Sequence, residues 1–227
     1  MIFRLMVSHI HIFLWVIFVG ELGFAYAFAS ELVLKKKAII ACMFAVALGL
    51  TLDAFVIALG GIIEQVPIMF SRLRYICHGV LIPFVLPICG YALKFNKVVM
   101  RIDWFITGVL MALGLAQALN VQLVETVVGA NIRYASGPET PAWVTIISFG
   151  LSFGTLILLV ITSIIVKKRD NDPYLLGGSL LMLFFATIGP VTGNMDLQFA
   201  ITMMGEICML AGYYFFLKNM FGEIKAD

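Results

Sequence analysis

Four ionisable side chains lie within hydrophobic runs that are long enough to cross a membrane: Glu21, Asp53, His78 and Glu206. Placing such a group in the hydrocarbon core costs roughly 2.5–3.5 kcal/mol on insertion scales, so an intramembrane ionisable residue usually marks a functional site. Carboxyl and imidazole groups can donate and accept protons, which makes acid–base chemistry the reaction type that this set predicts. We therefore take these four side chains as the predicted catalytic residues.

Arg74 precedes His78 by four residues, so the two side chains share one face of a helix. A guanidinium near the mouth of a site could hold a carboxylate or a phosphate, which makes Arg74 the predicted substrate-binding residue. The alternative is an interfacial anchor whose side chain reaches the lipid head groups. Pro83 and Pro87 follow in the same run and predict a kinked helix that could open a cavity. Asp103 is interpreted as an interfacial anchor near the end of the next helix.

The composition is that of a polytopic membrane protein. Of the 227 residues 62% are hydrophobic and only 12% are charged, whereas a soluble domain has about 25% charged residues. The apolar runs predict an all-α fold, a seven-transmembrane-helix bundle that forms a single transmembrane domain over residues 1–227. The predicted helices lie near 10–33, 38–63, 72–93, 98–119, 143–166, 174–193 and 197–217. The polar stretch 121–142 is predicted to be a connecting loop, with a lid over the site as the alternative.

The basic residues predict the orientation of the bundle. Most of them follow the first, third, fifth and seventh helices: Lys35, Lys36, Lys37, Lys94, Lys97, Arg101, Lys167, Lys168, Arg169, Lys218 and Lys225. The positive-inside rule then places the N-terminus outside and the C-terminus in the cytoplasm of a cell (inner or plasma) membrane. A rival topology has a cleaved signal peptide, because Ala27-Phe28-Ala29 resembles a cleavage site. That cleavage would leave the lysines at 35–37 outside, against the charge rule.

This orientation predicts that the four ionisable residues form one layer. Counting residues from the helix ends places Glu21, Asp53, His78 and Glu206 at depths of roughly 9–17 Å below the outer face. An antiparallel bundle could bring their side chains together in one cavity that opens towards the outer half of the membrane. The cost of burying charge would then favour mutual pairing or access to water.

Several other chemistries find no support in the sequence. The four cysteines, Cys42, Cys77, Cys89 and Cys208, lie in apolar runs without CxxC spacing and are interpreted as small buried hydrophobic residues. His78 is the only histidine deep in a predicted span, so no metal site is predicted. No nucleotide-binding or hydrolase motif is present, and we expect no cofactor. The small net charge of +2 does not suggest nucleic acid; the expected partners are membrane lipids and a hydrophobic small-molecule substrate.

The stretch 53–83 resembles a family of multi-helix bacterial integral membrane proteins of uncharacterised function. The pattern is D-x6-G followed by R-x3-H-x4-P, and it is formed by Asp53, Gly60, Arg74, His78 and Pro83. In that family an Asn tends to follow the Asp and a Thr tends to precede the Pro, whereas this chain has Ala54 and Ile82. The resemblance implies that the Asp, Arg and His belong to one site, and it supplies no activity.

Three functions fit these observations. The first is an intramembrane acid–base enzyme that acts on a lipid or isoprenoid-type substrate. The second is a proton-coupled transporter of a small solute, which predicts a water path that continues to the cytoplasmic side. The third is a structural or sensory membrane subunit whose polar residues bind a partner helix, which predicts carboxylates exposed on the lateral surface.

Overall fold

The computed structural model describes residues 10–63, 66–128, 131–191 and 195–223. The described chain is mostly helical, which confirms the prediction of an α-helical polytopic protein at this coarse level. Its helices are α1 (Ile10–Lys35), α2 (Ala38–Leu59), α3 (Ile68–Leu81), α4 (Val85–Ala92), α5 (Lys97–Asn120), α6 (Ala142–Asp170), α7 (Tyr174–Val191) and α8 (Met195–Met220). Many large apolar side chains on α1, α5 and α6 are exposed on the outside of the bundle. A surface of this kind fits a lipid environment.

Six segments within the described residues are long and apolar enough to cross a membrane. They are Ile10–Lys35, Ala38–Leu59, Ile68–Ala92, Lys97–Asn120, Ala142–Asp170 and Ala200–Met220. The apolar part of α7, Tyr174–Ile188, is shorter than such a span. The structure thus supports a multi-pass membrane protein, while a seventh crossing and the orientation of the termini stay predictions. Positions 192–193, the predicted end of the sixth helix, lie outside the described residues.

Proline interrupts the third membrane segment, as the sequence predicts. A 3₁₀ turn, Ile82–Phe84, separates α3 from α4, and Pro83 lies inside that turn. Proline has no amide hydrogen and its ring clashes with the preceding helical turn, so a regular α-helix does not continue through it. The interruption lies one turn after His78, next to the predicted site.

The stretch 121–142 contains a β-hairpin, which corrects its prediction as a plain connecting loop. The strands β1 (Leu123–Val128) and β2 (Asn131–Ser136) pair in antiparallel register, with Leu123 opposite Ser136. The hairpin lies against the end of α2, where the amide of Ile132 donates a hydrogen bond of 3.1 Å to the carbonyl oxygen of Gly60. A Cβ atom on Gly60 would lie 2.1 Å from the Ile132 carbonyl oxygen, so this contact requires glycine.

Helices α7 and α8 approach each other closely through small residues. A Cβ atom on Gly178 would lie 2.8 Å from the Cα atom of Gly212, and one on Gly212 would lie 2.7 Å from the Cα atom of Gly178. Small residues at such crossings let the backbones of membrane helices come into contact, which increases the dispersion attraction between them. Gly79 of α3 and Gly114 of α5 form a second crossing of the same kind.

Two apolar clusters build the interior of the bundle, and α1, α2 and α8 contribute to both. The larger cluster contains Phe28, Val46 and Tyr213. The smaller one is formed by Ile10, Leu14, Ile17, Ala54, Ile57, Ala58, Ala200 and Met203. Along each of these three helices one carboxylic residue lies between the two clusters: Glu21, Asp53 and Glu206. Phe28, in the candidate signal-peptidase site, and the nearby Ala25 are buried in the larger cluster.

Ion pairs join the last turns of α1 and α8. The ammonium group of Lys218 contacts Glu31 and Glu223 at 2.5 Å each, and Lys35 pairs with Glu31 at 2.8 Å and also with Glu223. Hydrogen bonds from Lys218 and Lys35 lower the pKa of the Glu223 carboxyl from its usual value. This network fixes the predicted cytoplasmic ends of α1 and α8 relative to each other.

The α7–α8 crossing predicts different effects for two adjacent glycines. We expect Gly178→Ala to lower the free energy of unfolding by about 1–3 kcal/mol, because the added methyl group overlaps the backbone of α8. Gly177 has open space around its Cβ position, so Gly177→Ala should be neutral or stabilising by up to about 1 kcal/mol. Thermal unfolding in detergent micelles measures both variants. Equal melting temperatures for the two variants would contradict the crossing.

Candidate functional site

A cavity of about 360 Å³ lies inside the bundle. Helices α2 to α8 contribute to its wall, and three of the four predicted catalytic residues line it together with Arg74. The lining residues are Leu50, Asp53, Arg74, Tyr75, His78, Ile82, Val85, Gln117, Ser148, Ser152, Phe153, Thr155, Leu156, Leu159, Met182, Ala186, Thr202, Glu206 and Met209. No described residue of the hairpin is among them, which does not support the lid alternative.

An ion pair between α2 and α3 forms part of the polar wall. The Nε atom of Arg74 lies 3.1 Å from Oδ1 of Asp53, and only 8% of the Arg74 residue surface is exposed. Its guanidinium also lies over the ring of Tyr75, 4.8 Å from the centroid. Arg74 therefore points into the bundle, which corrects the alternative of an interfacial anchor. A guanidinium has five N–H donors, so the pair with Asp53 leaves others for a ligand.

His78 and Glu206 complete the polar wall. His78 lies one helical turn beyond Arg74, and its imidazole interacts electrostatically with both Arg74 and Asp53. His78 is one of the residues that line the cavity. The carboxyl group of Glu206, on α8, also interacts with Asp53 and Arg74. The structure thus brings Asp53, Arg74, His78 and Glu206 to one cavity, as the predicted layer requires, while their catalytic and binding roles stay predictions.

Glu21 lies behind this wall rather than in it. The residue is completely buried, and its carboxyl group interacts with those of Glu206 and Asp53. Among the described residues neither oxygen of Glu21 has a well-oriented hydrogen-bond partner, and the same is true of Oε2 of Glu206. Two carboxyl groups placed side by side in an apolar interior are costly to keep, which is typical of functional sites. Glu21 can reach a cavity ligand only through Glu206 or Asp53.

The cluster contains more acidic groups than cations. It has three carboxyl groups, from Glu21, Asp53 and Glu206, whereas Arg74 is the single arginine or lysine among the described lining residues. Unpaired charges cannot be buried at low cost in a medium of low polarity. The cluster therefore has a strong tendency to bind a proton or another cation.

The rest of the cavity wall is largely apolar. Leu50, Leu156 and Met209 are among the side chains that face the polar wall. Helix α6 adds a third surface, which carries hydroxyl groups. Its residues Ser148, Ser152 and Thr155 are spaced so that they share one face of the helix. The Thr155 hydroxyl already donates to the carbonyl oxygen of Leu151 at 2.6 Å. One side of the cavity thus suits a polar group, and the larger part suits hydrocarbon.

The described part of the site has no feature of a metal centre or a disulfide. Among the described residues no three His, Cys, Asp or Glu side chains are arranged as metal ligands. All four cysteines are free thiols. The chemistry that this arrangement supports is proton transfer by carboxyl and imidazole groups, next to a cation that can hold an anionic group.

Arg72 and Asp103 both make contacts inside the bundle. Arg72 donates hydrogen bonds of 2.7 and 2.8 Å to the carbonyl oxygens of Ala118 and Val121, at the end of α5. It therefore satisfies carbonyl groups that the helix end leaves free. Asp103 is not a simple anchor, because its Oδ2 atom is buried against Gly90 of α4.

The sequence reasoning missed the polar residues of α5 and α6 that line the cavity, Gln117, Ser148, Ser152 and Thr155. Their spacing on α6 was a usable signal, because positions i, i+4 and i+7 share one face of a helix. Comparison with known proteins adds no assignment: no family model matches the chain, and no characterised protein matches its sequence.

The Asp53–Arg74 pair predicts a clear energetic coupling. Arg74→Leu should destabilise the protein by roughly 3 kcal/mol, the low end for a buried pair, because Asp53 is left without its cation but still faces the cavity. Asp53→Leu together with Arg74→Leu should cost at least about 1 kcal/mol less than the two single changes added. Thermal unfolding of the four proteins measures this cycle, with the exposed Arg101→Leu as control. Strictly additive effects would show that the pair is not formed.

Proposed function

We propose that this cavity binds an amphiphilic lipid or isoprenoid-type molecule and transfers protons to and from its polar end. The observation that carries the proposal is the juxtaposition of the Asp53–Arg74 pair, His78 and Glu206 on one wall of an otherwise largely apolar cavity. The protein would then be an intramembrane acid–base enzyme. The uncharacterised membrane family suggested by the pattern from Asp53 to Pro83 is compatible with this proposal.

The shape and lining of the cavity support the amphiphilic character of the ligand. Its volume of about 360 Å³ is near the lower end of the roughly 300–1,000 Å³ that is usual for small-molecule sites. A head group with a few carbons of chain would fill it. Arg74 would hold an anionic or hydrogen-bonding head, while Leu156, Leu159 and Met209 would contact the hydrocarbon.

The residues differ in the chemistry that they can supply. Glu206 faces the cavity beside the second carboxyl group of Glu21, and a pair of carboxyl groups can keep one proton available for donation. His78 can accept a proton from a ligand, with Asp53 stabilising the imidazolium that forms. Glu21 does not line the cavity, so it would act as a positioning residue that keeps a proton on the Glu21–Glu206 pair.

A proton-coupled transporter is the second candidate. It is favoured by the excess of buried carboxyl groups over cations, which is typical of proton relays in membrane proteins. The third reading, a subunit whose carboxylates bind a partner helix, requires these groups on the lateral surface. The burial of Glu21 and Glu206 gives it less support.

Ligand-dependent thermal stability tests the proposed binding. The purified protein in mild detergent should gain several degrees in melting temperature with a polyprenyl phosphate, because a ligand that binds the folded state stabilises it. The corresponding polyprenol, which lacks the charge, should give a smaller gain, and inorganic phosphate, which lacks the tail, should give none. Arg74→Gln should remove the difference between phosphate and alcohol, whereas Arg101→Gln, outside the cavity, should retain it. No gain with any amphiphile would overturn the proposal.

Turnover distinguishes the two candidate functions. Mass spectrometry of vesicle lipids incubated with the protein should detect a product that is absent with Glu206→Gln and still present with the exposed Glu125→Gln. We expect a loss of at least about 100-fold for the first variant, which is typical of removing a general acid or base. Binding without any product, combined with solute movement into protein-containing vesicles, would instead identify the transporter.

A further inference from the structure

A second polar cluster lies directly beyond the apolar end of the cavity. That end is formed on three helices by residues that follow the polar wall in sequence: Val85 of α4, Leu159 of α6 and Met209 of α8. Cys89, Thr162 and Tyr213 each lie about one turn further along the same three helices. All three are at least 97% buried. Their position continues the axis of the cavity towards the ends of α1 and α8 that carry the lysines.

Cys89 interacts with each of the other two side chains. The thiol of Cys89 lies beside the Thr162 hydroxyl and interacts electrostatically with Tyr213. Within the described part of the chain, neither the Thr162 hydroxyl nor the Tyr213 hydroxyl has a well-oriented hydrogen-bond partner. Next to them, the hydroxyl groups of Ser163 and Ser179 form a hydrogen bond of 2.9 Å between α6 and α7. The cluster therefore holds several donors and acceptors with unused capacity.

Buried hydroxyl groups of this kind usually form hydrogen bonds with internal water molecules. A buried polar group without a hydrogen bond costs about 1–3 kcal/mol, and internal water molecules that make two to four hydrogen bonds normally remove this cost. Two hydroxyl groups and a thiol from three helices supply that number of partners.

Asp103 extends the polar cluster towards the end of the bundle opposite the hairpin. Its carboxyl group interacts electrostatically with Cys89, and a Cβ atom on the adjacent Gly90 would lie 2.8 Å from its Oδ2 atom. That oxygen lacks a hydrogen-bond partner among the described residues, while the residue as a whole is partly exposed. Glycine at position 90 thus leaves room for the Asp103 carboxyl group next to the polar cluster.

We propose that buried water molecules occupy the Cys89–Thr162–Tyr213 cluster and connect the cavity to Asp103. Protons would enter at the Asp103 carboxyl and pass along the waters and hydroxyl groups to Glu206. Each step breaks one O–H bond and forms another, so no further reactant is needed. This inference rests on the proposed role of the cavity in proton transfer, and it names the side of the bundle from which those protons come.

Hydroxyl-radical labelling tests for the water directly and needs no ligand. X-ray pulses generate radicals from bound water, and these oxidise the side chains that contact it. In the full-length protein in nanodiscs, Tyr213 and Cys89 should be oxidised at least about tenfold faster than Met43, which is equally buried in the apolar core. Thr162→Val should reduce labelling of Tyr213 towards the rate of Met43. Thr51→Val, which removes a buried hydroxyl bonded to Ala47, should leave it unchanged.

Isotope exchange tests the connection to Asp103. After rapid mixing with oxygen-labelled water, the label should appear on oxidised Tyr213, and Asp103→Leu should slow its appearance by about tenfold. Labelling of Tyr213 no faster than that of Met43 in the unmodified protein would overturn the proposal, as would exchange that Asp103→Leu does not change. If this test fails while polyprenyl phosphate still binds, only the water path is ruled out. If polyprenyl phosphate does not bind but Tyr213 is labelled as expected, only the proposed function is ruled out.

Discussion

The grouping of three carboxyl groups beside one guanidinium inside the bundle is the constraint on which the arrangement of the helices depends. The Asp53–Arg74 pair connects α2 with α3, and Glu21 with Glu206 connects α1 with α8. Apolar clusters lie on both sides of this layer, so a shift of one helix by a turn would move a carboxyl group into hydrocarbon. The polar layer therefore fixes the register of the helices, as single polar residues do in other membrane helix packings. The close glycine crossings add contact area between the helices. They also do not allow one helix to shift by a turn.

The same constraint gives the site its chemical character. A cluster with more acids than cations binds protons, and an apolar cavity next to it selects molecules with a hydrocarbon part. Enzyme and transporter differ only in where the proton and the ligand leave. The hydroxyl groups of Thr162 and Tyr213, which lack well-oriented partners among the described residues, bear on this difference. A hydrated path from them towards Asp103 would supply protons from the side opposite the hairpin. In an enzyme such a path would supply the protons for the reaction. In a transporter it would form half of the route that the protons take across the membrane.

The sequence predicted the features that follow from the hydrophobicity of whole segments and from the position of a proline. Apolar runs of sufficient length predict membrane helices, and the break at Pro83 follows from a missing amide hydrogen. Residue depth alone also indicated that Glu21, Asp53, His78 and Glu206 meet, since the bundle is antiparallel. The rotation of each helix is set by packing, which local sequence does not encode, and so the inward position of Asp103 was missed. The hairpin was missed although β1 contains three valines, because the short polar stretch resembled a loop.

Cysteine cross-linking between α1 and α8 tests the central claim, the convergence of buried carboxyl residues, most directly. In a variant with the native cysteines replaced by alanine, Glu21→Cys and Glu206→Cys should be joined by a short thiol-reactive linker. The pair Leu22→Cys and Glu206→Cys should not react, because Leu22 is exposed on the outer surface of α1. Cross-linking of the first pair alone is the result that the account predicts. Equal yields for the two pairs, or cross-linking only through position 22, would contradict it.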